Sequence, residues 1–497
     1  MTTPQEWTQD TLRAKFCHAL SEMYRAEVPL YGDLVQLVHQ TDTETLLARH
    51  PNSTPTTSPD TILPARHRVE RHGAIRLGTA QELATIRRLF AVMGMHAVGY
   101  YDLTPAGFPM HATAFRPTSP EALSRHPFRV FTTVLRMDLL TARTRTLAER
   151  ALSQRSIFTD RLLTLLQSAE TRQRQHHPAL TQKEGEALIT EALETFRWHS
   201  HATVTLDEYE TLKAEHPLIA DIVSFPSSHI NHLTPRTLDI DAVQTKMREA
   251  GLPAKERIEG PPRRQYSILL RQTSFKAREE TVFFRHNNHN HNHNHSHSDY
   301  IKGTHTARFG EVEQRGFALT PKGRELYDAI LARVNADAAQ LLQLANDDAA
   351  NEAQYEQLLV YHFQSFPDEL SELWSQKLAY FCYSVASKAA SFGAGGGEGK
   401  AGLAQLVQDG VLEYEPIKYE DFLPLSAGGI FSSNLGSTSL SGRLVMEAGP
   451  DVDGFQRMLG GSIADEFALY ECVQAESLER CCRELGLEKI DLESGCS

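Results

Sequence analysis

Cysteine is scarce in this sequence. The six, Cys17, Cys382, Cys472, Cys481, Cys482 and Cys496, form no C-x-x-C pair, and four of them fall in the last 26 residues. A disulfide scaffold is therefore excluded, and the thiols read as reduced in a cytoplasmic protein. None carries a nucleophile signature, which leaves a catalytic thiol unsupported. Long apolar runs are also missing. No stretch of 18 apolar residues exists, so no membrane-spanning helix is expected. The opening Met1-Thr2-Thr3-Pro4-Gln5-Glu6-Trp7 has neither a charged n-region nor an apolar h-region, and Glu6 and Asp10 argue against a transit peptide. Positive charge falls short as well. Lys and Arg number 50 against 63 Asp and Glu, for a net charge of −13. That balance argues against an extended nucleic-acid footprint. It still allows a small anionic substrate met by a few local Arg residues.

What is present is an ordinary globular composition with a near-repeat inside it. At 497 residues and 41% hydrophobic content, the chain can bury two or three packed modules. One stretch reads Glu70-Arg71-His72-Gly73-Ala74-Ile75-Arg76, and another, 160 residues on, reads Ile230-Asn231-His232-Leu233-Thr234-Pro235-Arg236. Each holds His-x-x-x-Arg. Each is followed by an amphipathic helical stretch, then Gly94-Met95 or Gly251-Leu252, then extended segments. Two copies of one strand–helix unit, each with a His at the same place, suggest a metal site on a pseudo-twofold axis.

The periodicity divides the chain further. Residues 1–60 read as a helical segment broken at Tyr31-Gly32-Asp33 and ending in the Pro/Ser/Thr-rich loop 51–60. Residues 61–137 read as a βαβββ module: a strand at 66–78, a helix from Gln81 to Met93 stopped by Gly94, then strands at Ala97–Leu103, His111–Arg116 and Phe128–Leu135. A mostly helical insertion spans 138–220. A second module spans 221–320, with its helix at Asp239–Ala250 and a last strand at Arg308–Gln314. Residues 321–497 read as helical, including Glu369–Ser387, with a Gly-rich linker at 394–399 and a small-residue loop at 419–436. Such a loop brings backbone N–H groups close to whatever it covers. Inside the second module, His286–Ser298 alternates His and Asn. It reads as an extension between two strands rather than a metal-loading device, because an unstructured tract cannot preorganise a site.

The candidate ligands follow from spacing. His72 and His232 occupy equivalent positions. His229 competes locally, but in a strand it faces away from His232. A strand Arg308-Phe309-Gly310-Glu311-Val312-Glu313-Gln314-Arg315 offers Glu311 and Glu313 on one face. Two buried carboxylates there repel unless a metal or an Arg intervenes; the alternative is a solvent-facing strand paired with Arg308 or Arg315. Two His and one carboxylate with open positions is the pattern of non-haem Fe(II) oxygenases. Arg76 shares a strand face with His72 and offers a forked cation for a carboxylate; the alternative is a buried salt bridge. Arg236, after Pro235, reads as structural.

These residues resemble the vicinal oxygen chelate superfamily, which pairs βαβββ modules around a divalent metal. One of its members, 4-hydroxyphenylpyruvate dioxygenase, ends its metal-bearing strand in Glu-x-x-Gln-Arg, matched here by Glu311-Val312-Glu313-Gln314-Arg315. More closely, the chain is similar to the 2-oxoadipate dioxygenase/decarboxylase family, through His72–Thr79, His229–Asp241, Arg271–Lys276, Phe309–Lys322 and Tyr419–Gly436. The His/Asn run departs from the family pattern. The resemblance implies an α+β fold, with paired modules forming a metal-centred curved sheet. It implies Fe(II) on His72, His232 and Glu311, with Glu311 favoured over Glu313. It further implies dioxygen and a 2-oxo diacid as substrates, and 2-hydroxyglutarate and carbon dioxide as products. Arg76 and the backbone amides of Leu425 and Ser426 would then hold substrate at the metal. The competing classes are a Zn- or Ni-dependent lyase or isomerase of glyoxalase type, which consumes no oxygen, and a non-catalytic diacid-binding protein, which turns nothing over.

Overall fold

A computed structural model of the chain describes residues 6–49, 70–175, 180–286, 300–342, 348–387, 400–423 and 449–492. The loop 51–60, the His/Asn tract after His286, the linker 394–399, and Leu425 and Ser426 lie outside the described residues. The architecture is α+β, and no helix among the described residues is long and apolar enough to cross a membrane.

The chain gathers into two compact units. One comprises Met1–Ile258, Gln272–Gln314 and Phe422–Ala464; the other comprises Glu259–Arg271, Arg315–Asp421 and Asp465–Ser497. The first is built on a five-stranded sheet in the order His96–Asp102, Met110–Arg116, Arg129–Leu135, His72–Leu77, His232–Thr234. The first four strands and the helix Ala80–Val92 follow one another in the chain as strand, helix and three strands. Thr79 and Glu82 close a capping box at the helix start, and Gly94 at φ +69° ends it. Leu83, Ile86, Leu89 and Phe90 are buried. Phe90 packs with Phe16, Phe115 and Phe196, so the helical side of the sheet is an aromatic core.

The fifth strand carries the second repeat copy. His232–Thr234 runs antiparallel to His72–Leu77, and the helix Ile240–Glu249 follows, ended by Gly251 at φ +74°. The rest departs from a plain repeat. Leu270–Ser274 pairs with Glu311–Arg315, while the hairpin Glu279–Arg285/Tyr300–Thr306 pairs instead with His201–Thr205 from the inserted segment. The last strand therefore starts at Glu311, not at Arg308.

Other elements differ from the sequence expectation for local reasons. The N-terminal helices are Gln9–Glu27 and Pro29–Arg49, so the break falls at Val28 and not at Gly32. Pro29 stands at the first helical position, where its missing N–H costs nothing. In the other unit, Glu369–Ser387 is a short helix, Leu370–Ser375, followed by the strand Phe381–Val385 paired with Leu412–Pro416. A left-handed Lys377 at φ +56° separates the two.

Candidate metal centre and its surroundings

The register between the two repeat copies sets the site. Thr234 lies opposite His72, Leu233 opposite Gly73, and His232 opposite Ala74. Residues opposed across an antiparallel pair share a face. His72 and His232 therefore project from the same side, two positions out of register, with ring centroids 5.5 Å apart. The local twofold passes between Gly73 and Leu233. A Cβ on Gly73 would stand 2.9 Å from Leu233 Cδ2, so glycine lets the two copies approach at their axis. The carboxylate arrives from the other edge of the His232 run. Phe309 N donates to Asn231 O at 3.1 Å, and Glu313 N donates to Pro235 O at 3.1 Å. That pairing sets Phe309 beside His232 and Glu311 beside Thr234, the residue opposite His72.

The three side chains converge. His72 Nε2 lies 3.1 Å and His232 Nε2 3.9 Å from Glu311 Oε1. All three are fully buried, and one ligand atom from each lies within 4.8 Å of the others. Gln272 Nε2 donates to Glu311 Oε1 at 2.5 Å, and the Thr234 hydroxyl donates to the same oxygen at 3.2 Å. Phe309 stacks on His232 at 4.7 Å, and Phe422 packs edge-on against His72 at 4.9 Å, which excludes water.

A divalent cation fits this donor set. Both ring nitrogens of His232 and Oε2 of Glu311 are buried with no hydrogen-bond partner among the described residues. Each such orphan costs about 1–3 kcal/mol, and a cation would satisfy His232 Nε2 and Glu311 Oε2, though not the Nδ1 on the far side of the ring. Burial opposes a charge on His72, but Glu311 and Glu313 outweigh it and raise its pKa. Burial, with His72, Arg76 and Lys255 nearby, pushes His232 well down, so it stands as a neutral ligand.

Glu313, the carboxylate not chosen as ligand, has its own place. Its Oε2 lies 2.9 Å from His72 Nδ1, off the line of the ring N–H, and its Oε1 lies 3.5 Å from Arg71 Nε. A carboxylate on the distal nitrogen of a ligand imidazole orients the ring and raises its basicity. The sequence reading missed Arg71 and this use of Glu313. The signal was an Arg directly before the His and a second Glu two positions along the strand. Neither Glu faces solvent, and Arg308 pairs elsewhere, with Glu27 at 2.7 Å and Glu280 at 2.9 Å.

Arg76 lies on the same face as His72, and its NH1 pairs with Asp221 Oδ2 at 2.6 Å; both side chains are buried. Its Nε is buried with no partner among the described residues. Thr133, opposite Arg76 in the parallel neighbouring strand, likewise buries a hydroxyl with no partner. His229 is not in the triad. It faces Asp221 Oδ1 at 3.3 Å. Arg236 forms a parallel bridge with Glu313.

The fold and site together define an α+β protein with a His-His-Glu group that could hold a metal ion, buried where two repeat strands meet. The comparisons are specific. The sequence profile of the 2-oxoadipate dioxygenase/decarboxylase family matches residues 16–434. The chain is 46% identical to the 2-oxoadipate dioxygenase/decarboxylase of Pseudomonas putida over 96% of this chain and 97% of the relative. It is 45% identical to the protein of that name from Escherichia coli over 95% and 98%. The crystal structure of the hydroxyglutarate synthase of Pseudomonas putida in complex with 2-oxoadipate matches at TM-score 0.80 and 43% identity, over 98% of this chain and all of that one. The chain belongs to the 2-oxoadipate dioxygenase/decarboxylase family.

Proposed function

We propose that this enzyme converts 2-oxoadipate and dioxygen into 2-hydroxyglutarate and carbon dioxide, using Fe(II) held by His72, His232 and Glu311. The atoms balance: one O2 enters, one carboxyl carbon leaves as carbon dioxide, and the shortened diacid keeps the remaining oxygen. The two modules belong, in this reading, to the vicinal oxygen chelate type, and the cytoplasm is the compartment. The observation that carries the proposal is the buried His-His-Glu group with its orphaned nitrogens, on the same sheet face as a guanidinium with a spare edge. A facial triad leaves coordination positions open for a substrate chelate and for dioxygen. When bound, Fe(II) would supply the chemistry that joins decarboxylation to hydroxylation.

The chain's own groups do the rest. Glu313 and Arg71 hold His72 in orientation. Gln272 and Thr234 fix Glu311. Phe309 and Phe422 keep water away from the ligands. Arg76 would pair through its spare edge with the distal carboxylate of the diacid, and the resemblance adds the backbone amides of Leu425 and Ser426.

The test is anaerobic reconstitution with Fe(II), then oxygen uptake with a panel of 2-oxo acids. We expect one O2 consumed per 2-hydroxyglutarate formed from 2-oxoadipate. Turnover with no oxygen uptake would identify a glyoxalase-type lyase or isomerase instead. Binding without turnover would leave a diacid-binding protein.

A further inference from the structure

Behind Arg76 lies a second buried group of ionisable side chains, separate from the His-His-Glu group. Asp221, on the helix Pro217–Ser224, is 4% exposed. Its Oδ2 accepts from Arg76 NH1, and its Oδ1 faces His305 Nε2 at 2.8 Å and His229 Nε2 at 3.3 Å. His305 Nδ1 in turn meets the Tyr209 hydroxyl at 2.9 Å. Trp198 covers both rings, edge-on to His229 at 4.7 Å and stacked on His305 at 6.0 Å. A carboxylate tied to three partners under an indole has little freedom to move.

Such a network is costly to bury and adds little net stability. Its geometry suggests another use. An Arg–carboxylate pair is commonly bidentate, yet Arg76 meets Asp221 through NH1 alone and leaves Nε buried and without a partner among the described residues. One edge of the guanidinium is spent on the anchor. The edge that contains Nε is kept for another acceptor.

We propose that Asp221 is a positioning residue for substrate recognition: it pins Arg76 through NH1, so that the Nε edge meets the distal carboxylate of the diacid, while His305, His229 and Tyr209 fix Asp221. The inference rests on the reading of Arg76 as the diacid clamp. It makes Asp221, which touches no substrate, a determinant of the preference for a diacid over a monoacid.

The experiment compares anaerobic equilibrium binding of 2-oxoadipate with that of 2-oxohexanoate, a monoacid of equal length, on iron-loaded enzyme. The variants are Asp221→Asn, Arg76→Gln and the double substitution, with bound iron measured for each. Asp221→Asn should weaken 2-oxoadipate binding roughly 10-fold or more, the scale on which a displaced clamp acts. It should leave 2-oxohexanoate binding and iron content near the parent values. In the Arg76→Gln background, Asp221→Asn should add no further loss. Equal loss for both acids, or the same loss in both backgrounds, would overturn the proposal and make the pair structural. If Arg76→Gln itself fails to separate the acids, the clamp reading falls and this inference falls with it. If Arg76→Gln separates them and Asp221→Asn does not, Asp221 alone is misassigned. Should Asp221→Asn fail to fold, Asp221→Glu keeps the charge but displaces the carboxylate by one methylene. The same selective loss is then expected, and a non-selective loss overturns the proposal.

Discussion

Three residues apart in sequence, His229 and His232 have opposite fates. Each is buried, and in each burial depresses the ring's pKa. His229 keeps a carboxylate, Asp221, beside Nε2. His232 has no hydrogen-bond partner on either nitrogen among the described residues and faces Glu311. A buried Nε2 left unsatisfied beside a carboxylate is explained by a cation bound between them. His232→Ala should therefore abolish tight metal binding. His229→Ala should leave iron occupancy nearly unchanged, because its loss is felt at Asp221. Metal analysis after dialysis checks both. Full occupancy in His232→Ala, or metal loss confined to His229→Ala, would reverse the assignment. At this scale the sequence was most legible. The repeat pointed to both His, but His229 lies ahead of the strand His232–Thr234, so its separation from Glu311 comes from the loop and Asp221 and not from strand alternation. Asp221 was invisible, because its partners His229, His305 and Arg76 meet it only through tertiary packing.

Elements were legible where their boundaries carry chemistry. The helix Ala80–Val92 begins on a capping box and ends on a left-handed glycine, and both marks are written in the residues. The strand Phe381–Val385 carries no such mark. Its short apolar run suits helix and strand alike, and the pairing with Leu412–Pro416 decides it. The hairpin Glu279–Arg285/Tyr300–Thr306 is a case where local reading reaches a test. Its strands pair in full register from Glu279 opposite Thr306 to Arg285 opposite Tyr300, and the His/Asn tract is what joins them. Deleting His289 to His297 leaves His286, Asn287, Asn288, Ser298 and Asp299 between Arg285 and Tyr300. Five residues suffice for a hairpin connection. The ladder should survive, and turnover per bound iron should equal that of the parent. Lower turnover at equal iron occupancy would show that the tract serves the reaction.

At the scale of the whole molecule, buried imidazoles make stability depend on pH. His111 and His126 are held down to about 4, His111 by burial and then the Arg136 charge, His126 by burial and then the Arg13 charge. His111 packs against Phe455 at 4.7 Å, and its Nδ1 faces the Tyr100 hydroxyl at 3.3 Å. Between the ordinary histidine value of about 6.5 and about 4, the unfolded chain binds protons at these positions and the folded chain does not. Stability therefore falls as pH drops through that window, and these groups add no further slope below it. At roughly 1.4 kcal/mol per pKa unit, each ring accounts for about 3 kcal/mol at most. His72 in the metal-free protein has the opposite sign: its raised pKa adds stability that is present below the ordinary histidine value and lost as pH rises through the folded one. Parent and variant must therefore be compared in the same metal-free state, where the His72 contribution is common to both and cancels. Urea unfolding midpoints between pH 7 and pH 4 should fall steeply for the parent. His111→Phe replaces the ring with an apolar one against Phe455 and should flatten the slope by about one proton. An unchanged slope would mean that His111 already carries its proton in the folded state.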